Sequence, residues 1–295
     1  MRKIIAFILY LLYWPRIRKE SGRIDSILAI YGHDQKREPF EQIVRWLLNK
    51  GYRFITPEEL YLYLSGQKKL EEKLVWLSFD DGWKSNYDEV FPVLKKYEIP
   101  ATIFVATKGI TDGYYWYTRA FQNRSSSLYK EVGDLWVMDN RDRVKIIEQL
   151  SPYQGERSTM NENEIREMTL SGLVNWGNHT HDHVMSDHCT DEELKEEIAT
   201  CNRVMKEITG KDCKLIYSYP NGNYDERTVG ILKQMGFTMA ATTHIGRVTC
   251  PSDAYMIPRF EFKNGCLKEN ILQCFGLWTG FFNGVKKLLG IKHKK

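Results

Sequence analysis

Apolar runs of strand length and apolar stripes at helical spacing take turns along this chain, and few architectures accommodate that alternation. Phe40, Ile43, Val44, Trp46 and Leu47 repeat at the spacing of one helix face, and Gly51 then stops the helix as a C-terminal cap. A strand is predicted over Tyr52 to Thr56, and a helix begins at Pro57 with Thr56 as its cap and proline at the first helical position. The unit then recurs. The run Leu74-Val75-Trp76-Leu77 reads as a buried strand, Val90 to Tyr97 as a helix, Ala101 to Ala106 as a strand, Glu192 to Ile208 as a charged amphipathic helix, and Lys214 to Tyr219 as a strand. Alternating units of this kind predict an α/β fold with a parallel sheet or barrel.

Chemistry-bearing residues gather in two short segments, the first of them where a strand ends. Ser78-Phe79-Asp80-Asp81-Gly82 follows the strand at Leu74, and His179-Thr180-His181-Asp182-His183 holds three of the seven histidines. Open α/β folds put their chemistry at such strand ends. One carboxylate oxygen and two neutral imidazoles form a three-ligand metal set that leaves positions open for water or substrate, as a catalytic site requires. Successive side chains on an extended segment point to opposite faces, so Asp80 and Asp81 divide the work, one on a metal and one moving a proton beside it. Taken alone, Asp-Asp-Gly is a common turn and histidines are common in solvated loops; the conjunction carries the reading.

These residues carry a resemblance to a known family. Ser78-Phe79-Asp80-Asp81-Gly82 is similar to the Thr/Ser-Phe-Asp-Asp-Gly motif of polysaccharide deacetylases, the NodB-homology family of carbohydrate esterases, and Gly177-Asn178-His179-Thr180-His181-Asp182-His183 to its Gly-Asn-His-Thr-x-x-His motif. The resemblance implies a deformed (β/α) barrel in a single domain. It implies Asp80 as general base, and Asp81, His179 and His183 as ligands of a divalent metal, commonly zinc (Zn2+), with His181 as a neighbour. The implied substrate is an acetylated carbohydrate.

Tyr217-Ser218-Tyr219-Pro220-Asn221-Gly222 resembles the family's Arg-x-Pro-x-Gly loop, with Pro220 and Gly222 in register and Ser218 where many members carry the arginine that holds the catalytic aspartate. By this resemblance Tyr219, Pro220 and Gly222 lie at the substrate, and the Tyr219 backbone N–H helps hold the oxyanion, a donor worth roughly 3 kcal/mol of barrier. The family's C-terminal Leu-x-His, source of the general acid, is not found after Gly222. Ile27 to His33 instead resembles the Tyr-His strand end of a circularly permuted subgroup, which makes His33 the candidate acid and His244 its rival. The first and last strands of a closed barrel are neighbours, so either terminus can deliver that histidine to the same rim.

Between Tyr114 and Arg166 lies a stretch that the alternating core does not need. It opens with Tyr114-Tyr115-Trp116-Tyr117, read either as a sugar-stacking surface centred on Trp116 or as core packing, with helices expected around Glu131 to Leu150 and Glu162 to Leu173.

A formal net charge of +4 with no basic stripe or recognition motif gives no case for nucleic acid as a partner. The six scattered cysteines lack Cys-x-x-Cys spacing and favour a reducing compartment. Residues 23–265 are read as the catalytic domain. Residues 1–22 form an apolar, basic tail whose run Ile4 to Trp14 is shorter than the roughly 20 residues of a spanning helix. Residues 266–295 form a second amphipathic tail, with Phe275 to Trp278, Phe281, Phe282, Leu288 and Leu289 leading to Lys286, Lys287, Lys292, Lys294 and Lys295. Both suit peripheral contact with an anionic membrane surface or packing on the domain. The expected location is a bacterial-type cytoplasm or membrane surface, with secretion left open. Two functions are in play: a metal-dependent enzyme removing acetyl groups, most readily N-acetyl of an amino sugar, and a glycan-binding module that keeps the fold without turnover.

Overall fold

A computed structural model describes residues 1–131 and 134–288. Eight parallel strands form one curled sheet: β1 (Leu28–Gly32), β2 (Arg53–Ile55), β3 (Leu74–Phe79), β4 (Ala101–Val105), β5 (Val174–Asn178), β6 (Ile216–Ser218), β7 (Met239–Ala241) and β8 (Phe260–Glu261). Their order is β7-β6-β5-β4-β3-β1-β8, with β2 beside the first half of β3. The two ends of the sheet meet across the segment leading into β8. Thr242 N–H donates to the Ile257 carbonyl at 2.9 Å and Arg259 N–H to the His244 carbonyl at 2.8 Å, while β8 pairs with β1. Pairing across this seam is sparse, so the barrel is incomplete. The expected deformed (β/α) barrel is the architecture found.

Strand alternation decides what the barrel mouth contains. On β3, Val75, Leu77 and Phe79 face outward into the layer beneath the helices, whereas Leu74 and Trp76 face inward. Continued upward, the inner column reads Leu74, Trp76, Ser78, Asp80: apolar at the floor and acidic at the rim. On β1 the inner column is Ala29, Tyr31 and His33. On β5 it passes through Gly177, where a Cβ would lie 2.4 Å from the Phe104 ring, so only glycine lets β5 close on β4 beneath His179.

Most predicted elements are present within a residue or two. The helix at Phe40 runs over Arg37–Asn49, and the helix at Pro57 over Pro57–Leu64, with Thr56 and Glu59 forming a reciprocal capping box. The amphipathic helix runs over Asp191–Thr209. Of the long excursion, Asn140–Gln149 and Glu162–Leu170 are helical.

The two segments set apart as tails pack on the domain. Ala6 and Leu9 of the helix Arg2–Leu12 are buried, and Arg2 pairs with buried Glu269 at 2.5 Å. Ile271, Leu272 and Cys274 belong to the main core. The outer face of the N-terminal helix stays exposed, with Ile4, Phe7, Ile8, Leu11 and Leu12 in solvent. No helix among the described residues is long and apolar enough to cross a membrane. Leu289, Lys292, Lys294 and Lys295 of the C-terminal segment lie outside the described residues.

Candidate metal centre and active site

Asp81, His179 and His183 meet at the barrel mouth, where one ligand atom from each lies within 4.8 Å of the others. Nε2 of each histidine is 3.3 Å from Asp81 Oδ1, and all three side chains are buried. His179 Nδ1 lies 2.8 Å from the Ser218 carbonyl. A carbonyl only accepts, so the neutral ring carries its proton on Nδ1 and turns the Nε2 lone pair toward a carboxylate oxygen that has no other partner. A lone pair facing an anion at that distance is repulsive unless a cation lies between them. The donor set therefore fits a divalent metal.

Electrostatics keep the ligands in their binding forms. Burial alone would raise the Asp81 carboxyl, but with no cation between them a proton on a facing Nε2 is donated to it, which outweighs burial and holds the carboxyl well below the usual carboxylate range. Burial lowers His183 against the pull of Asp81, keeping that ring neutral. The outer oxygen of Asp81 is held from behind by Trp83 Nε1 at 2.7 Å and Tyr117 OH at 3.0 Å, leaving Oδ1 to face the histidines.

Plain strand alternation would turn Asp81 away from the rim that Asp80 occupies. Its φ of +76° swings it back, so both carboxylates reach the mouth. Of the five non-glycine residues at positive φ among the described residues, Asp81, Thr180, His183 and Asn221 all belong to this region. Left-handed backbone costs of order 1–3 kcal/mol per residue, and here it is concentrated where side chains must converge.

Asp80 is fully enclosed beside the metal set. Arg259, itself completely buried, grips it with two bonds of 2.8 Å, one to each carboxylate oxygen. The other three donors of this guanidinium go to Ser78 Oγ at 3.1 Å, Ser218 Oγ at 3.0 Å and the Thr242 carbonyl at 3.1 Å, so all five are used. Burial would raise the Asp80 carboxyl, but the Arg259 charge and its hydrogen bonds outweigh that and lower it. With Ser218 in the place of the family's arginine, the loop motif itself offers Asp80 no guanidinium. The structure supplies the arginine from β8's entry instead, and the small Ser218 bridges it, donating to Asp80 Oδ2 at 3.3 Å.

The pocket over these groups has a volume of about 300 Å³. His33 lines it, with Nδ1 3.6 Å from Glu261, whereas the rival His244 is exposed and lies outside the lining. Tyr219 and Asn221 also line it. Tyr219 N–H, expected to face an oxyanion, donates to the Ala241 carbonyl at 3.2 Å and is spent on the sheet. Pro220 and Gly222 shape the loop as a short 3₁₀ turn and do not line the pocket; a Cβ at Gly222 would meet Thr243 Oγ1 at 2.1 Å. Trp116 is buried, with Nε1 directed at the His183 carbonyl at 3.4 Å, and the aromatic walls of the metal pocket are its neighbours Tyr117 and Trp136. His181 turns away to Thr107 Oγ1 at 2.9 Å, a neighbour as expected.

Beneath the histidine loop, Glu197 accepts the N–H groups of His181 and Asp182 at 3.0 and 2.7 Å. Burial pushes its carboxyl up to about 7. A folded value above the unfolded one means that the folded state holds this proton longer, so a stability penalty accumulates as pH rises from about 4.3 to about 7. Glu197→Gln keeps an acceptor oxygen and removes the charge. We expect it to stabilise the protein by roughly 2–3 kcal/mol at pH 8 and by little at pH 4.5, read by urea denaturation at both values.

A family model described as polysaccharide deacetylase matches residues 67–240, more than half of the chain. That match ends before Arg259 and begins after His33. YxkH of Bacillus subtilis is 27% identical over 229 residues, 78% of this chain, and the chain spans 66% of its length, just under two thirds. A poly-beta-1,6-N-acetyl-D-glucosamine N-deacetylase of Staphylococcus aureus is 25% identical over 263 residues, 87% of this chain and 76% of that one. The structure of IcaB from Ammonifex degensii superposes with a TM-score of 0.63 at 25% identity, covering 85% of this chain and 97% of that one. Strand order, metal donors and family match agree: the chain belongs to the NodB-homology polysaccharide deacetylases.

Proposed function

We propose that the protein removes N-acetyl groups from an amino sugar within a polysaccharide, oligosaccharide or lipid-linked glycan, with zinc as its metal. One observation carries the reading: Asp80, oriented on both oxygens by Arg259, shares its pocket with a three-ligand metal set. A divalent cation held by Asp81, His179 and His183 would acidify the attacking water and polarise the acetyl carbonyl. Asp80 is charged at any working pH and accepts the proton of that water. His33 lines the same pocket and is suited to return a proton to the departing amine. Tyr219 and Asn221 border the space left for the sugar. A binding module without turnover would have no use for Asp80 and its five-bonded arginine, which favours the enzyme.

Acetate released from N-acetylglucosamine oligomers and other acetylated glycans tests the proposal. We expect release by the zinc-loaded protein, loss of at least 95% after chelation (~20-fold, within the several kcal/mol a catalytic metal supplies), and recovery when zinc is returned. Stoichiometric metal binding with no release from any acetylated glycan would sink it.

We also infer contact with a membrane surface, placing the enzyme at the edge of a bacterial-type cytoplasm or on the cell surface. The exposed stripe Ile4, Phe7, Ile8, Leu11 and Leu12 supports this, as does the absence of any acidic residue before Glu20 alongside Arg2, Lys3, Arg16, Arg18 and Lys19. The protein should float with vesicles containing phosphatidylserine, and Ile8→Glu with Leu11→Glu should leave it in the soluble fraction. Equal flotation of both would refute the contact.

A further inference from the structure

A second cavity, of about 800 Å³, adjoins the metal pocket and shares Tyr117 and Trp136 with it. The rings of these two residues lie 5.1 and 6.1 Å from that of His183, so the cavity begins one ring's width from a metal donor. Leu135, Trp83 and Tyr129 continue its wall, and Phe121, 62% exposed, stands at its outer end.

The wall is chemically one-sided. No acidic or basic side chain lines it among the described residues. Most polar atoms of its aromatic residues are already spent inside the protein: Trp83 Nε1 and Tyr117 OH on Asp81, Trp116 Nε1 on the His183 carbonyl, and Tyr153 OH on the Glu156 carbonyl at 3.2 Å. Thr118 Oγ1 is likewise taken by the Tyr115 carbonyl at 2.6 Å. The cavity therefore presents mostly ring faces and carbon, with Gln122, Ser158, Tyr129 OH and Trp136 Nε1 as the remaining polar groups of its lining. Sugar hydroxyls moved into it would lose water and find few partners, whereas methylene groups lose nothing and gain contact.

We infer that this aromatic groove is a subsite for a hydrocarbon chain carried by the substrate, which rests on the deacetylase reading given above and narrows it to lipid-bearing amino sugars. The chain is attached as a lipid aglycone of an N-acetylated amino sugar. This places alkyl carbon beside Tyr117 and Trp136 while the acetamide occupies the metal pocket.

The test compares three soluble substrates below their micelle concentrations: the methyl and octyl β-glycosides of N-acetylglucosamine, and N,N′,N″-triacetylchitotriose. We expect KM at least tenfold lower for the octyl than for the methyl glycoside. Phe121→Ala combined with Tyr129→Ala should abolish that gain and leave turnover of the methyl glycoside unchanged. Equal values for all alkyl lengths would overturn the inference, as would a gain found only for chitotriose. If no substrate is turned over, the deacetylase reading fails separately. The groove is then read from tryptophan emission of zinc-loaded Asp80→Asn, which should shift to the blue with the octyl and not the methyl glycoside; no shift with either would overturn it.

Discussion

Arg259→Met is expected to lower stability by about 3–5 kcal/mol and to remove measurable acetate release. The substitution roughly keeps side-chain volume and takes away all five hydrogen bonds of a completely buried guanidinium, including both bonds to Asp80. Removing one partner of a buried pair leaves an uncompensated charge, which costs far more than the pair itself contributes. Asp80 would respond by taking up a proton, and a protonated carboxyl cannot act as base. The double variant Arg259→Met with Asp80→Asn separates the two effects, because it removes the stranded charge as well. It should recover at least half of the lost stability while staying inactive. Urea denaturation with acetate release on the same preparations reads both. Full activity in Arg259→Met would show that Asp80 is oriented by something else. In the unmodified protein the pair's contribution is present above about pH 3.9, the unfolded value, and is lost as pH falls through the lowered folded value.

Asp80→Asn should lower kcat/KM by roughly 10²–10⁴, the range expected for a positioned general base. Metal content should stay near one per chain, since Asp81, His179 and His183 are untouched. Because asparagine leaves Arg259 without its counter-charge, activity is best normalised to folded, metal-loaded protein. Asp81→Asn provides the contrast: it should lose metal and activity together. An Asp80→Asn variant with more than a tenth of normal turnover would move the base role elsewhere in the pocket.

Local order was legible in the sequence because it depends on short-range rules. The cap at Thr56, the stop at Gly51 and the buried apolar strand at Leu74 each follow from residues within a few positions of one another. The metal set was legible for a related reason, since Asp81 and the His179–His183 pair sit in short motifs at strand ends. Arg259 was not legible. It lies 179 residues from Asp80, and its partners come from three other strands. What the sequence does contain is a weak trace, Arg259-Phe260-Glu261-Phe262, in which polar and aromatic residues alternate as they would on a strand with a polar inner face. The direction of the Tyr219 N–H was equally hidden, because it depends on β6–β7 pairing. Trp116 was half legible: four consecutive aromatics announce a packed cluster, but which ring faces the pocket depends on how the excursion folds over His183.

The seam of the barrel also has a consequence in time. Asp80 is translated early, whereas the arginine that orients it belongs to the segment that closes the sheet between β7 and β1. During synthesis from the N-terminus, every metal donor can leave the ribosome while the proton-accepting group still has no guide. On the mechanism proposed above, hydrolytic competence would follow only once β8 and its leading Arg259 dock. Activity would then serve as a built-in report of completed folding, and partly made chains would be harmless to the acetylated sugars around them.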